Sequence, residues 1–190
     1  FNDPSVTGTT LGNVQSCLRL DDLSEVGDGT HYLQFHMLGL FSFRHLTVPE
    51  TIHLWMEFLA RVGIKPDYVT VHPDRQNWAE YHSVPARLDD ECTWTDGKGP
   101  LSYCTEFYVG GVEIGNIVNP HGDCIDVGFG LERLGMVLGG QAPTRAEVLR
   151  DTSLSLIQDG YTPSNKKQGY VLRKLLRVMV HENIVFDHPH

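Results

Sequence analysis

The chain has 190 residues, 41% hydrophobic and 21% charged, values that are ordinary for one globular domain with a real core and at most a small appendage. Its formal net charge of −9 argues against a broad affinity for nucleic acids or membranes, so a contact with RNA would need a local basic patch. There is no signal peptide and no apolar run near the ~18 residues of a membrane-spanning helix, so a soluble cytoplasmic protein is expected.

The four cysteines, at positions 17, 92, 104 and 124, form no Cys-x-x-Cys pair. Their number alone permits disulfides, but nothing indicates a secreted scaffold. The chain begins at Phe1 instead of a methionine, which is consistent with a processed or excised piece.

A long hairpin is the first predicted element. Residues 13–20 are typical of a strand in which Gln15, Cys17 and Arg19 alternate and therefore share a face. A polar loop follows, and the aromatic residues of 31–43 predict a returning strand. We expect Gln15, Arg19 and Phe35 to face one ligand, with core packing as the alternative for Phe35.

Residues 49–62 predict an amphipathic helix with Pro49 in its first turn and apolar residues at helical spacing. A strand is expected at 68–72, and the polar segment 74–91 is expected to be irregular. Histidines 53, 72 and 82 have no metal-ligand spacing, so we interpret them as surface residues with satisfied hydrogen bonds.

Three strands and a helix are predicted in the central part of the chain, at residues 104–109, 112–118, 124–127 and 131–138. Gly110-Gly111 is a hairpin signal between the first two strands. Gly128 and Gly130 lie where the third strand meets the helix, and a backbone without Cβ atoms lets a ligand approach closely. Arg133 falls in the first helical turn, where a cation is slightly disfavoured. Phosphate binding and an ordinary surface arginine are equally compatible with this spacing.

Two further helices are predicted at 144–158 and 167–180. The second has an apolar stripe and a basic one, which contains Arg173, Lys174 and Arg177. The tail residues His188 and His190 can bind zinc in principle, but a frayed terminus is the preferred interpretation.

Several of these segments resemble the class II aminoacyl-tRNA synthetases, in the alanyl form. The run Asp-Val-Gly-Phe-Gly-Leu-Glu-Arg-Leu at 126–134 is similar to motif 3 of that family. Gln15, Cys17 and Arg19, the loop Asp-Leu-x-x-Val-Gly at 22–27 and the strand at 35–43 resemble motif 2. The resemblance implies an α+β fold, with an antiparallel sheet flanked by helices.

The resemblance also implies functional roles. Arg19 would contact the ATP α-phosphate, Phe35 would stack on adenine, and Arg133 and Gly130 would complete the ATP-binding set, with both arginines catalytic. Asp126 would pair with the ammonium group of an amino acid. The other amino-acid-binding residues would be Asn116, Val118, Trp94 and Gly128. Glu106 would be a ligand of Mg²⁺, and the implied cofactors are ATP and Mg²⁺.

The likeness implies a division into an adenylation core at 1–140 and C-terminal helices at 141–190 that resemble the start of a tRNA-recognition region. The motif 1 region, most of the helical tRNA-binding domain and the editing domain have no counterpart. Position 36 is His where the family has Glu, and position 119 is Asn where it has an aromatic residue. Position 115 is Gly in place of Trp, which is expected to widen or reshape the amino-acid pocket.

Three functions remain open from the sequence. The preferred one is activation of alanine or another small amino acid to an aminoacyl-adenylate, with transfer to a non-tRNA acceptor such as a carrier protein or a small amine. A reduced synthetase that charges tRNA through its basic helix is the second. The third is a catalytically silent paralogue that only binds a ligand or a partner. The oligomeric state is left open.

Overall fold

The computed structural model describes residues 3–95, 97, 99, 101–120 and 122–186. Residues 1–2, 96, 98, 100, 121 and 187–190 lie outside the described residues, and with them His188 and His190, which the sequence analysis considered as a zinc site or a frayed terminus. The chain forms two compact units. The first comprises Phe1–Gln15 and His36–Gly140, and the second comprises Ser16–Phe35 and Gln141–His190. The division into functional domains at 1–140 and 141–190 stays a prediction.

Eight strands among the described residues form one sheet, in the order β1-β2-β8-β7-β6-β3-β4, with β5 also paired to β6. Strand β6 pairs antiparallel with β3, β5 and β7, and β8 pairs antiparallel with β2 and β7. The pair of β3 and β4 is parallel. The strands are β1 (Thr9–Leu18), β2 (Gln34–Phe43), β3 (Tyr68–Val71), β4 (Ala86–Leu88), β5 (Thr93–Trp94), β6 (Ser102–Val109), β7 (Val112–Asn119) and β8 (Cys124–Gly130).

The helices of the described chain are α1 (Val48–Arg61), α2 (Leu131–Val137), α3 (Arg145–Gln158) and α4 (Lys167–His181), with a 3-10 helix at Pro73–Tyr81. Capping boxes start α1 and α3: the side chain of Thr47 or Thr144 accepts a hydrogen bond from the N–H three residues later, and the Glu carboxylate there accepts one from the threonine N–H. The predicted fold class, an α+β fold with an antiparallel sheet and flanking helices, is confirmed.

The core of the first unit lies between α1 and one face of the sheet. Ile52, Trp55 and Leu59 are buried on α1 and pack with strand residues that include Phe107 and Phe129. The rings of Trp55 and Phe129 are stacked, with centroids 4.5 Å apart and planes 5° from parallel. Such a pair adds about 0.5–1.5 kcal/mol to the gain from burial. This core occupies one face of the central strands and leaves the other face for a site.

The second unit has a core of its own. Nine buried apolar residues of α3, α4 and the segment that precedes β2 form it: Leu23, Val26, Leu33, Val148, Leu149, Leu156, Leu172, Leu175 and Met179. Arg145 joins the parts of this unit, because its guanidinium donates to the carbonyl oxygens of Leu23 and Val26 and forms two 2.8 Å hydrogen bonds with the Glu182 carboxylate.

Three predictions about local structure need correction. The strand expected at 124–127 continues to Gly130, because glycines are tolerated in a strand whose neighbours on both sides hold its backbone. The segment 74–91 is more regular than expected, since it contains most of the 3-10 helix and all of β4. His82 is not a surface residue: it is half-buried and its Nδ1 has no hydrogen-bond partner.

Candidate functional site

The register of the central strands places the predicted site residues of β6, β7 and β8 in two adjacent rows. In the first row Glu106 lies opposite Asn116, and Asn116 lies opposite Gly128. Residues two apart on a strand point to the same side, so the second row shares this face. We call it the site face.

The second row consists of Cys104, Val118 and Asp126, each opposite the next. Val118 is 4% exposed and packs with Cys92 and Cys104. The intervening residues, which include Phe107, Ile117 and Phe129, point into the core on the other side. The sheet therefore brings together the amino-acid-binding residues predicted on β7 and β8, with Glu106 beside them.

On the site face, Asp126 carries a carboxylate in a partly buried position. Its side chain is half-buried, and burial raises the pKa of its carboxyl group. Across the part of the chain that the structure describes, no cation or hydrogen-bond donor contacts this carboxylate. A half-buried carboxylate is costly unless a cation offsets the loss of hydration, so the site is suited to a positively charged ligand.

Because residue 128 is a glycine, no side chain fills the space above its backbone. A Cβ there would meet only the terminal methyl of Met37 at 2.7 Å and Asn116 Oδ1 at 3.9 Å. The first of these contacts is with the end of a flexible side chain, so backbone packing does not require the glycine. The predicted reason, close approach of a ligand, fits this surrounding.

Gly115 has a different environment, and the expected widening of the pocket is wrong. A Cβ at this position would lie 2.3 Å from Phe129 Cγ and 2.6 Å from the carbonyl oxygen of Gly128. The Phe129 ring fills the space on the core side, where it stacks on Trp55. The glycine thus accommodates a core ring and does not enlarge the site face.

Arg133 lies in α2, and its Nη1 donates to the carbonyl oxygen of Glu113 at 2.7 Å, with the Glu113 carboxylate 3.9 Å away. Gly130 is the N-cap of α2, and a Cβ there would touch the Arg133 side chain at 3.6 Å. Next to the arginine, Glu132 accepts hydrogen bonds from the His36 backbone and from His36 Nδ1. A histidine at position 36 therefore gives Glu132 a partner where a glutamate would repel it.

Arg19 and Phe35 come together in the second unit. The Arg19 guanidinium carbon lies 5.6 Å from the centre of the Phe35 ring, and Nη2 is 2.6 Å from Asp22 Oδ2. The side chain of Arg19 is 48% exposed. A guanidinium that is held over an aromatic ring and still open to solvent can bind phosphate oxygens.

Trp94 is exposed, with 42% of its surface open to solvent. It lies on β5 opposite Ser102, and Cys92 directly precedes this strand. Its exposed indole can border a ligand but does not form a closed wall by itself.

The surroundings of Glu106 fit Mg²⁺ poorly. Its Oε2 accepts hydrogen bonds from Tyr108 at 2.8 Å and Thr70 at 3.2 Å, and its Oε1 is 3.8 Å from Cys104 Sγ. Mg²⁺ prefers a nearly octahedral set of oxygen ligands, whereas two sulfur atoms, those of Cys92 and Cys104, lie beside this carboxylate. The tentative assignment of Glu106 to Mg²⁺ therefore receives no support from this geometry.

Cys92, Thr70 and Tyr108 were missed as neighbours of Glu106. Their positions follow from the pairing of β6 with β3 and β5, and β5 has only two residues, too few to show an alternating pattern. The sequence did indicate the contact of Tyr108 with Glu106, because the two residues are two apart on a predicted strand and therefore share a face.

Comparison with known proteins now gives the family. The family model described as tRNA synthetases class II (A) matches residues 4–137, which is more than half of the chain. The chain belongs to this family. The proposed resemblance is confirmed, and it extends to relatives named as alanine–tRNA ligases.

One such relative, from Tropheryma whipplei (strain Twist), is 28% identical over 268 aligned residues that cover 93% of this chain and 30% of that ligase. Another, from Bacillus velezensis, is 30% identical over 247 residues, covering 87% of the chain and 28% of the ligase. The chain spans less than a third of the length of these relatives. Both alignments are longer than the chain, so the synthetases carry insertions relative to it.

None of the helices in the described ranges is long and apolar enough to cross a membrane.

Proposed function

We propose that this chain activates an amino acid with ATP. The substrate carboxylate attacks the α-phosphorus, the bond from that phosphorus to the bridging oxygen of pyrophosphate breaks, and aminoacyl-adenylate and pyrophosphate leave. A carboxylate is already a nucleophile at neutral pH, so no general base is needed. The protein has to position the reactants and stabilise negative charge.

The observation that carries this proposal is the Asp126 carboxylate, which is half-buried on the site face and forms no ion pair or hydrogen bond with a described side chain. An α-ammonium group can pair with this carboxylate. Asn116 and Gly128 lie in the adjacent row, where an amide and an unobstructed backbone can contact the rest of the amino-acid main chain. Val118 is proposed to contact the substrate side chain, and since only 4% of its surface is exposed, this contact requires a movement of its neighbours Cys92 and Cys104.

For the nucleotide, we propose that Arg19 binds the α-phosphate and Phe35 stacks on adenine. The mutual contact of these two side chains and the exposure of Arg19 support the pair. Arg133, with Gly130 at its helix start, is proposed to bind further phosphate oxygens. For that purpose it would exchange part of its present contact with Glu113. Mg²⁺ would supply charge neutralisation on the phosphates, and we assign no ligand to it on this chain.

Alanine, or another small amino acid, is the proposed substrate. The relatives are named for alanine, and Gly115 does not enlarge the site because the Phe129 ring occupies its space. An apolar surface distinguishes side chains that differ by one methylene by only about 1–3 kcal/mol, so the choice among small amino acids needs measurement.

The acceptor has two candidates. A non-tRNA acceptor, a carrier protein or small amine, is favoured by the net charge of −9. Transfer to tRNA is favoured by the names of the relatives and by a cavity of about 500 Å³ in the second unit, bordered by Lys174, Arg177 and His181. Charging assays with tRNA separate the candidates. Aminoacylation that disappears in Lys174→Glu together with Arg177→Glu would establish tRNA as the acceptor.

The activation step is tested by amino-acid-dependent exchange between ATP and pyrophosphate across the twenty amino acids. We expect exchange with one small amino acid, and loss of it in both Arg19→Ala and Asp126→Ala. Absence of exchange from a folded chain that also fails to bind ATP in calorimetry would favour the silent paralogue instead.

A further inference from the structure

Two cysteines that are twelve residues apart in the sequence meet on the site face. Thr93 pairs with Tyr103, so Cys92 lies opposite Cys104, and the Cys104 N–H donates to the Cys92 carbonyl oxygen at 3.2 Å. Their sulfur atoms are 3.4 Å apart. Both side chains are buried, with 0% and 1% of their surfaces exposed.

Glu106 adds an oxygen to this pair. Its Oε1 is 3.8 Å from Cys104 Sγ, and one ligand atom from each of the three residues lies within 4.8 Å of the other two. Thr70 and Tyr108 donate to Oε2 and leave Oε1 turned towards the thiol. Hydrogen bonds of this kind orient a carboxylate ligand in many metal sites.

We propose that Cys92, Cys104 and Glu106 bind a zinc ion, with a fourth position left for water or another exogenous ligand. Zinc bonds of about 2.3 Å to sulfur and about 2.1 Å to oxygen, at tetrahedral angles, place two sulfurs about 3.8 Å apart and a sulfur and an oxygen about 3.6 Å apart. The observed separations of 3.4 and 3.8 Å come within a few tenths of an ångström of these values.

Electrostatics gives a further reason for a cation at this place. Two buried thiols and the Glu106 carboxylate lie close together in this cluster. A divalent cation at the centre displaces the thiol protons and compensates the charges of two thiolates and a carboxylate. Thiolate ligands select zinc over magnesium, which is the ion that the family resemblance suggested for Glu106.

This zinc site goes beyond the proposed activation of an amino acid, and its test needs neither ATP nor an amino acid. The chain, kept reduced, is titrated with Co²⁺ in the absence of nucleotide. We expect a thiolate-to-cobalt charge-transfer absorption that saturates at one equivalent, is abolished by one equivalent of Zn²⁺ and persists in a large excess of Mg²⁺.

Cys104→Ser and Cys92→Ser should each remove most of this absorption. Cys124→Ser, which changes a buried cysteine of β8 outside the cluster, should keep it. Tyr108→Phe retains all three ligands but loses a hydrogen bond to Glu106, so zinc affinity should fall about 10- to 100-fold. Circular dichroism of each variant establishes that it is folded. If a serine variant does not fold, Glu106→Gln serves instead, since it keeps both thiols and should weaken binding and shift the absorption.

The proposal is overturned if the reduced wild-type chain shows no thiolate-to-cobalt absorption, or if that absorption survives in folded Cys104→Ser and is lost in folded Cys124→Ser. An unchanged affinity and spectrum in Glu106→Gln would also contradict it, because the carboxylate would then not be a ligand.

Discussion

Titration of His82 should make the free energy of unfolding depend on pH. This dependence should fall at higher pH values than those at which carboxylates titrate. Its imidazole packs edge-on against Phe107, Nε2 is hydrogen-bonded to Thr105 Oγ1 at 2.9 Å, and Nδ1 has no partner. Burial lowers the pKa of this histidine to about 4, from an ordinary value of 6.5. His82 therefore binds a proton more weakly in the folded protein than in the unfolded chain.

The sign and size of the effect follow from linkage. Below pH 6.5 the unfolded chain binds more protons than the folded one, so stability falls as the pH is lowered towards 4 and is fully present above 6.5. Each pH unit in this window costs about 1.4 kcal/mol. Between about pH 7.5 and about pH 5, His82 should therefore remove about 2 kcal/mol from the free energy of unfolding.

Urea unfolding at these two pH values measures this effect. His82→Gln keeps a hydrogen-bonding group near Thr105 but does not titrate, so the loss between the two pH values should be about 2 kcal/mol smaller than in the wild type. The matched control is His53→Gln, an exposed position on α1, which should keep the wild-type loss. Equal losses in the wild type and His82→Gln would refute the reasoning.

Three further predictions concern stability and the site face. Gly115→Ala should destabilise by about 1–3 kcal/mol in urea unfolding because its Cβ would overlap a core ring, whereas Gly128→Ala should fold normally but lose amino-acid-dependent exchange. Asp126→Asn should raise the melting temperature at neutral pH but progressively less as the pH falls towards 4, because burial raises the pKa of this carboxyl in the folded state. Arg145→Lys should cost about 1–2 kcal/mol through its lost hydrogen bonds, whereas Arg61→Lys, in an exposed pair, should change stability by less than about 0.5 kcal/mol.

Segments with a clear hydrophobic periodicity predicted most of the helices and strands. The helix expected at 49–62 is α1, and the strands expected at 104–109 and 112–118 lie within β6 and β7. Local periodicity suffices there because one side of each element is buried and the other is not. Residues 128–130 were placed between the third strand and the helix, since glycine is usually unfavourable in a strand, whereas here the two neighbouring strands extend β8 through them.

The site face could be predicted only in part. Asp126, Asn116 and Glu106 lie on strands whose alternation is visible in the sequence, and the roles that the resemblance to the synthetases implies for them stay predictions. The contact between Cys92 and Cys104 could not be foreseen, because it depends on the pairing of a two-residue strand. The role of Gly115 was misjudged for a similar reason: the ring that fills its space comes from the neighbouring strand β8.

The central claim is that Asp126 holds the ammonium group of an amino acid during its activation. The most direct test is alanine-dependent exchange between ATP and pyrophosphate in the wild type and in Asp126→Asn, which keeps the shape and removes the charge. Loss of one partner of a desolvated charge pair costs about 2–5 kcal/mol, so kcat/KM for the amino acid should fall at least about 30-fold while ATP binding, followed by calorimetry, is unchanged. Undiminished exchange in folded Asp126→Asn would contradict the claim.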